Sequence, residues 1–405
     1  MSGGASGIGA LIGGSAAIFL VGAFVFSFPG VMGSYWQELF QAGRGAIGQS
    51  LFFVLVATGI FMFFVGRWQE RFGARRMVTI GVVLCSLDTF FIAAASNLTM
   101  LYVWAFVMGV ASCFVLMPAL TSVQRWFPAR RGLVSGIVNF VFGFSAAVMS
   151  PLFAYMLQTI GYGSMNLILG IAGLVVGLVA ARFVEMPPAP DMPPPQTPAV
   201  APAGLQRSLT VRESVRTSSF WFLWITWALQ GAASIAMVTL STQYGLARGF
   251  DLSSAVIVLT AFNVTSGLSR LVVGWLSDVV GRRLTMSASF LAAGCAYFLL
   301  PYAGGIWSMA ALAAAVGCGF GTLFAVSAAL TSDCFGLVHF GAIYGLIFTA
   351  YGSLSGILGP GLSGYLLDAT GGDFSLVFGY LGMFSVVAAV SVWFVRRSAV
   401  TASFQ

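Results

Sequence analysis

The chain has 405 residues, 59% hydrophobic and 7% charged, a composition outside that of soluble globular domains and expected of an integral membrane protein. The apolar residues fall in long runs, where a β-barrel would show roughly ten-residue alternating segments, so the spans are expected to be helices. All 18 basic residues are Arg, so a phosphate-cradling loop ending in Lys is excluded, which counts against an intrinsic ATP-driven pump; a single His, no Cys/His cluster and no GxSxG string leave no expected catalytic residue, metal site or cofactor.

The N-terminal MSGGASGIGALIGG has no basic leader region, and the apolar stretch after it outruns a signal-peptide core, so it is read as a retained first helix. Runs of roughly 20 residues, enough to cross about 30 Å of hydrocarbon, predict twelve spans. They fall at about residues 10–33, 47–66, 76–95, 98–122, 131–155, 163–184, 220–246, 253–277, 283–303, 306–331, 340–367 and 374–395. Cys85, Cys113, Cys295 and Cys318 lie inside these runs and Cys334 at a helix end, so all five read as small packing residues and not as a disulfide framework. After the sixth span, EMPPAPDMPPPQTPAVAPAGLQRSLTVRESVR is too rich in Pro and polar residues to build a core. The expected division is a six-helix bundle over 1–184, a cytoplasmic linker over 185–219 and a second six-helix bundle over 220–405. GRWQERFGARR from Gly66 recurs as GWLSDVVGRR from Gly274, and Pro151 matches Pro360 at an offset of about 209 residues, so the halves read as pseudo-symmetric duplicates. Repeated halves with a site at their midplane interface are a transporter design.

The Arg residues cluster in alternate loops, around 67–76, 125–131, 182–216, 282–283 and 396–397, while the intervening loops hold only Arg44 and Arg248. By the positive-inside bias the chain is expected to be a multi-pass protein of a cell membrane, of the bacterial inner-membrane type, with both termini cytoplasmic, and the net charge of +7 reflects that orientation and not nucleic-acid binding. Arg270 remains, in the middle of the eighth span. It lies about eight residues before Asp278, roughly 12 Å deep, where insertion of an Arg costs at least about 2.5 to 3.5 kcal/mol. No acid stands one turn away, and Asn263, Ser266, Gly267 and Gly274 make its face small and polar. Such a cation points to an anionic ligand, and the planar guanidinium suits a carboxylate; the competing reading is pairing to backbone carbonyls or to an acid on another helix. Tyr351, Gln230 and Asn139 fall at a similar depth, roughly 12 to 16 Å from the inner face, and are candidates for the same substrate site, the alternative being helix-to-helix hydrogen bonding. Phe24, Phe28, Phe142 and Phe324 are candidate walls. With one cation, the site fits a single carboxylate better than a dianion. Asp88, within the third span, is the candidate proton-coupling residue, against a structural role in bonding a neighbouring helix. His339 reads as a solvated loop residue.

The two loop strings resemble the signature of the major facilitator superfamily. Gly66, Glu70, Arg71, Gly73, Arg75 and Arg76 meet it in the first half; Gly274, Asp278, Gly281, Arg282 and Arg283 meet it in the second, where Val279 replaces a base. RWFPARRGLVSGI, FNVTSGLSRLVVGWLSD and FGAIYGLIFTAYG together resemble the monocarboxylate transporters and oxalate/formate exchangers. The resemblance implies an all-α membrane protein of twelve helices in two bundles. It also implies that the loop signatures form a cytoplasmic latch, that Arg270 holds the substrate, and that the third helix lies away from the central cavity. The second cation of the oxalate exchangers is absent, its string reading Ala350, Tyr351, Gly352; Ser266 stands where animal monocarboxylate transporters carry an Asp one turn before the Arg. The expected function is secondary active transport of lactate- or pyruvate-like monocarboxylates by alternating access, as proton symport, by a monomer in the lipid bilayer. Carboxylate exchange, efflux of amphipathic organic anions and a non-transporting receptor are the alternatives.

Overall fold

The computed structural model describes residues 2–127, 131–187, 209–336 and 340–396. Residues 188–208 of the expected linker, His339 and Arg397 lie outside the described residues, as does the side chain of Glu70. The first half comprises α1 (Ser2–Phe26), α2 (Phe28–Phe40), α3 (Arg44–Phe72), α4 (Ala74–Ala93), α5 (Leu98–Trp126) and α6 (Arg131–Ala181). After the short α7 (Val211–Val215), the second half comprises α8 (Ser218–Ala247), α9 (Leu252–Val280), α10 (Arg282–Leu299), α11 (Ile306–Phe335), α12 (Phe340–Ala350), α13 (Leu362–Ala369) and α14 (Phe374–Trp393).

Eleven helical stretches among the described residues are long and apolar enough to cross a bilayer. One of them belongs to α6, whose 51 residues would reach about 77 Å, more than twice the hydrocarbon thickness. At Gly161 the backbone turns to φ 76°, ψ 168°, a conformation open to glycine and few other residues, so α6 is two spans and the twelve expected crossings are present. Large apolar side chains such as Trp275, Val279 and Trp307 are exposed on the outside, as lipid-facing positions require in a multi-pass membrane protein. Cys295 is among the exposed residues of α10, contrary to its reading as a packing residue.

Two spans are interrupted near a proline. The first breaks at Ser27 (φ −123°, ψ −48°) and resumes as α2 with Pro29 in its first turn, because proline has no N–H to continue the α1 ladder and fits a helix start. The eleventh passes from α12 into two π-helical segments, Tyr351–Ser355 and Ile357–Gly361, before α13. Pro360 lies inside the second, where its missing donor and ring bulk favour the wider turn.

Duplication is visible in the backbone. Gly73 joins α3 to α4 at φ 83°, ψ 150°, and Gly281 joins α9 to α10 at φ 105°, ψ 132°. Just beyond each glycine an Arg reaches the end of its half: Arg75 Nη2 donates to the Arg182 carbonyl at 2.9 Å, and Arg283 Nη1 to the Val395 carbonyl at 3.1 Å. The halves meet where α2 packs on α8, α3 on the π segments and α13, and α6 on α9. The Arg-rich loops gather at one end of the molecule; the loops holding Arg44 and Arg248 form the Arg-poor end.

Candidate functional site

The α9 helix starts at Asp251, whose carboxylate accepts from the backbone N–H groups of Ser253 and Ser254 at 3.1 and 3.4 Å. Hydrogen bonds from Ser254 and its neighbours hold that carboxyl below the usual carboxylate range. Periodicity then carries Asn263, Ser266, Gly267 and Arg270 onto the buried face. Glycine makes the approach to α6 possible: a Cβ on Gly267 would lie 3.0 Å from that of Phe144, and one on Gly143 would lie 2.9 Å from Arg270 Cζ. The guanidinium therefore lies across Gly143, bridging the halves.

Arg270 is 6% exposed. Its Nη1 donates to the Asn139 carbonyl at 2.9 Å, whereas the buried Nε and Nη2 have no hydrogen-bond partner. Cζ stands 4.6 Å from the Phe324 ring centroid and 5.8 Å from that of Phe26, so aromatic faces shelter the charge from both halves. Among the described residues no ion pair includes Arg270; the titratable groups in electrostatic reach are Tyr344 and Tyr351. Tyr351 begins the first π segment, and its buried hydroxyl lacks a hydrogen-bond partner. Its ring stands 5.6 Å from Trp227, 5.8 Å from Phe324 and 5.4 Å from Phe348. The result is an aromatic enclosure with one guanidinium edge unused by any protein acceptor. That edge, Nε with Nη2, is the planar pair of donors that grips a carboxylate with two parallel bonds.

The other expected site residues distribute as follows. Asn139 reaches Arg270 through its backbone carbonyl. Asn263 lies two turns along α9 and donates from Nδ2 to Ser150 Oγ at 3.4 Å; Ser150 in turn is 2.7 Å from Ser27 Oγ, at the α1–α2 break. Gln230 donates from Nε2 to Ser234 at 3.0 Å and faces Gly319 of α11. Asp88 is 4% exposed with Oδ2 unpartnered, on α4, which packs chiefly against α5 and α6. Phe324 lines the enclosure and Phe142 joins it through Phe26, at 5.1 Å, whereas Phe24 and Phe28 pack with Phe153 inside the first half. Phe26, Gly143, Trp227, Tyr344 and Phe348 were not foreseen. Nothing in composition distinguishes such residues among 37 Phe and 50 Gly; the nearest signal is that Phe26 precedes the Ser27–Pro29 break.

At the Arg-rich end Arg71, Arg75 and Arg282 make the following contacts. Arg75 pairs with Glu185 at 2.8 Å. Arg71 lies over the Phe72 ring, its Cζ 5.4 Å from the centroid. Arg282 pairs with Asp333 at 3.1 Å and with Asp278 at 3.5 Å. Gly66 and Gly274 have no close neighbours, a Cβ on either meeting nothing nearer than 3.6 Å.

A family model described as Major Facilitator Superfamily matches residues 14–261 and 249–404. An uncharacterized MFS-type transporter of Escherichia coli, YhjX, is 27% identical over 348 residues, covering 82% of this chain and 84% of that protein. Human monocarboxylate transporter 11 is 31% identical over 329 residues, 76% of this chain and 66% of that one. The oxalate:formate antiporter of Oxalobacter formigenes is 26% identical over 300 residues, 73% and 70% respectively. Among solved structures, the nucleoside transporter NupG superimposes with a TM-score of 0.74 at 14% identity, over 96% of this chain and 99% of that one.

Proposed function

The chain belongs to the major facilitator superfamily and is a transporter of that fold, a premise from which we propose that it carries small monocarboxylates by alternating access, with Arg270 as the carboxylate-binding residue. One observation supports the reading above all: a buried guanidinium at the interface of the halves with its Nε and Nη2 donors unused. Such donors carry a desolvation penalty that an incoming carboxylate relieves. A single cation balances a single negative charge, so a short monoanion of the lactate or pyruvate type fits and a dianion does not. Tyr351 offers its unpartnered hydroxyl to the substrate, and the rings of Phe26, Phe324 and Trp227 pack on its apolar part. The matched monocarboxylate transporter bears a name consistent with this chemistry, and the oxalate:formate antiporter one consistent with carboxylate transport in general.

Proton symport extends the reading through Asp88. Exchange of one carboxylate for another is a second reading, favoured by the lack, among the described residues, of an acid facing Arg270. The proposal includes two bundles, 1–184 and 220–405, around the 185–219 linker, and a monomer whose Arg-rich end faces the cytoplasm.

Ligand-dependent thermal stability tests the central claim. At about 100 times its Kd a specific ligand adds roughly 2.7 kcal/mol. Monocarboxylates are expected to raise the unfolding midpoint of the parent and not of Arg270→Gln, while dicarboxylates and neutral sugars leave both unchanged. Stabilisation that survives in Arg270→Gln, or that oxalate produces as strongly as lactate, would overturn it.

A further inference from the structure

The Arg-poor end of the molecule carries a contact that the repeat does not explain. By the repeat offset, Gly43 before α3 corresponds to Asp251 before α9. Asp251 caps its own helix, but Gly43 has no side chain to cap α3. The missing carboxylate comes from the opposite half: Asp368 of α13 accepts from Arg44 N through Oδ1 and from Gly45 N through Oδ2, both at 3.0 Å. The N-cap position is shaped for it. A Cβ on Gly43 would overlap Asp368 Oδ2, and Gln41 turns the chain toward Gly43 in a left-handed conformation (φ 48°), the one non-glycine residue with positive φ among those described. Tyr365, one turn earlier on α13, donates its hydroxyl to Gln49 Oε1 at 3.0 Å, and Arg44 Cζ lies 5.8 Å from the Phe374 ring centroid.

We propose that Asp368 is a gating residue of the transport cycle, a helix cap supplied in trans that holds the Arg-poor end shut. Two charge-assisted bonds to a helix N-terminus hold a contact strongly enough to bias a two-state equilibrium and weakly enough to be broken each cycle. When the halves part at this end, water replaces the carboxylate on the Arg44 and Gly45 N–H groups, and Asp368, already at the surface, is solvated. Because the contact is remote from Arg270, the proposal stands whatever the substrate.

The test uses Gln243→Cys as reporter. Gln243 lies near the Arg-poor end of α8, 7% exposed and against Gly33 of α2, so it is reached when the halves separate there. Cys295, Cys318 and Cys334 are replaced by Ser, and the buried Cys85 and Cys113 of the first half are kept as sentinels of general loosening. A membrane-impermeant maleimide is applied from the Arg-poor side of full-length protein in proteoliposomes. Asp368→Ala removes the trans cap. Gly43→Asp, in a second variant, gives α3 a cap of its own like that of α9 and leaves no room for Asp368, so it disfavours the closed end without uncapping the helix. Both variants are expected to speed reporter labelling about tenfold or more, with the sentinels silent. A labelling rate unchanged in either variant, or sentinels reacting in step with the reporter, would overturn the proposal.

Discussion

At the scale of single residues, Arg270 was legible because it breaks a rule: an Arg at mid-membrane depth in a chain whose other Arg residues sit at span ends or in loops. Its surroundings were not legible, since the aromatic side chains that shelter it come from other helices and nothing in their local sequence marks them. Gly143 illustrates the point. Its lack of a side chain decides where the guanidinium rests, yet one glycine in 50 carries no mark. In Gly143→Ala the new Cβ would meet Arg270 Cζ at 2.9 Å, and the obstacle is the far end of a flexible side chain, which can give way. The expected outcome is an unfolding midpoint near that of the parent with carboxylate affinity lowered about tenfold, the cost of roughly 1.4 kcal/mol in a displaced fork; titration and thermal unfolding of the same sample check both halves of this statement. Asn139 and Asn263 show the opposite limit. A residue's place along its span does not say whether its side chain or its carbonyl meets a neighbour, as Asn263 and Asn139 show in turn.

At the scale of elements, the spans were legible from the length of apolar runs, and their irregularities were not. Whether a proline ends a helix, as Pro29 does near Ser27, or lies within π turns, as Pro360 does beyond Tyr351, depends on neighbours that restore the displaced hydrogen bonds. The signature loops permit a sharper prediction. Gly73 and Gly281 adopt backbone angles that side-chain-bearing residues rarely tolerate, whereas Cβ atoms on Gly66 and Gly274 would make ordinary contacts at 3.6 and 3.7 Å. Alanine at either loop glycine is expected to destabilise by about 1 to 3 kcal/mol. Alanine at Gly66 or Gly274 is expected to change stability little, and thermal unfolding of the four single variants separates the pairs.

At the scale of the whole molecule, the duplication read from loop strings reappears as matched glycine turns and matched Arg-to-carbonyl bonds, while the asymmetry between the halves, Asp368 standing in for a missing cap, was invisible without coordinates. The inter-half contacts at α2–α8, α3–α13 and α6–α9 are made helix to helix and do not rely on the linker. Residues 1–187 and 209–405 produced as separate chains in one cell are therefore expected to co-purify and to retain the ligand-dependent stabilisation of the intact protein; independent elution of the two pieces would contradict this. The position of α8 has a consequence for how the protein is made. Of its most apolar stretch 83% is buried, and Gln230, Ser234, Thr239, Ser241, Thr242 and Gln243 are all among its enclosed residues. Yet α8 is the first span of its half to leave the ribosome, ahead of α9, α11, the α12–π–α13 span and α14 that will enclose it. Hydrocarbon gives those polar groups no partners beyond α8 itself, so during synthesis α8 is better accommodated against α2 of the finished first half or by the insertion machinery until the later helices arrive, which makes the order of translation part of what this sequence encodes.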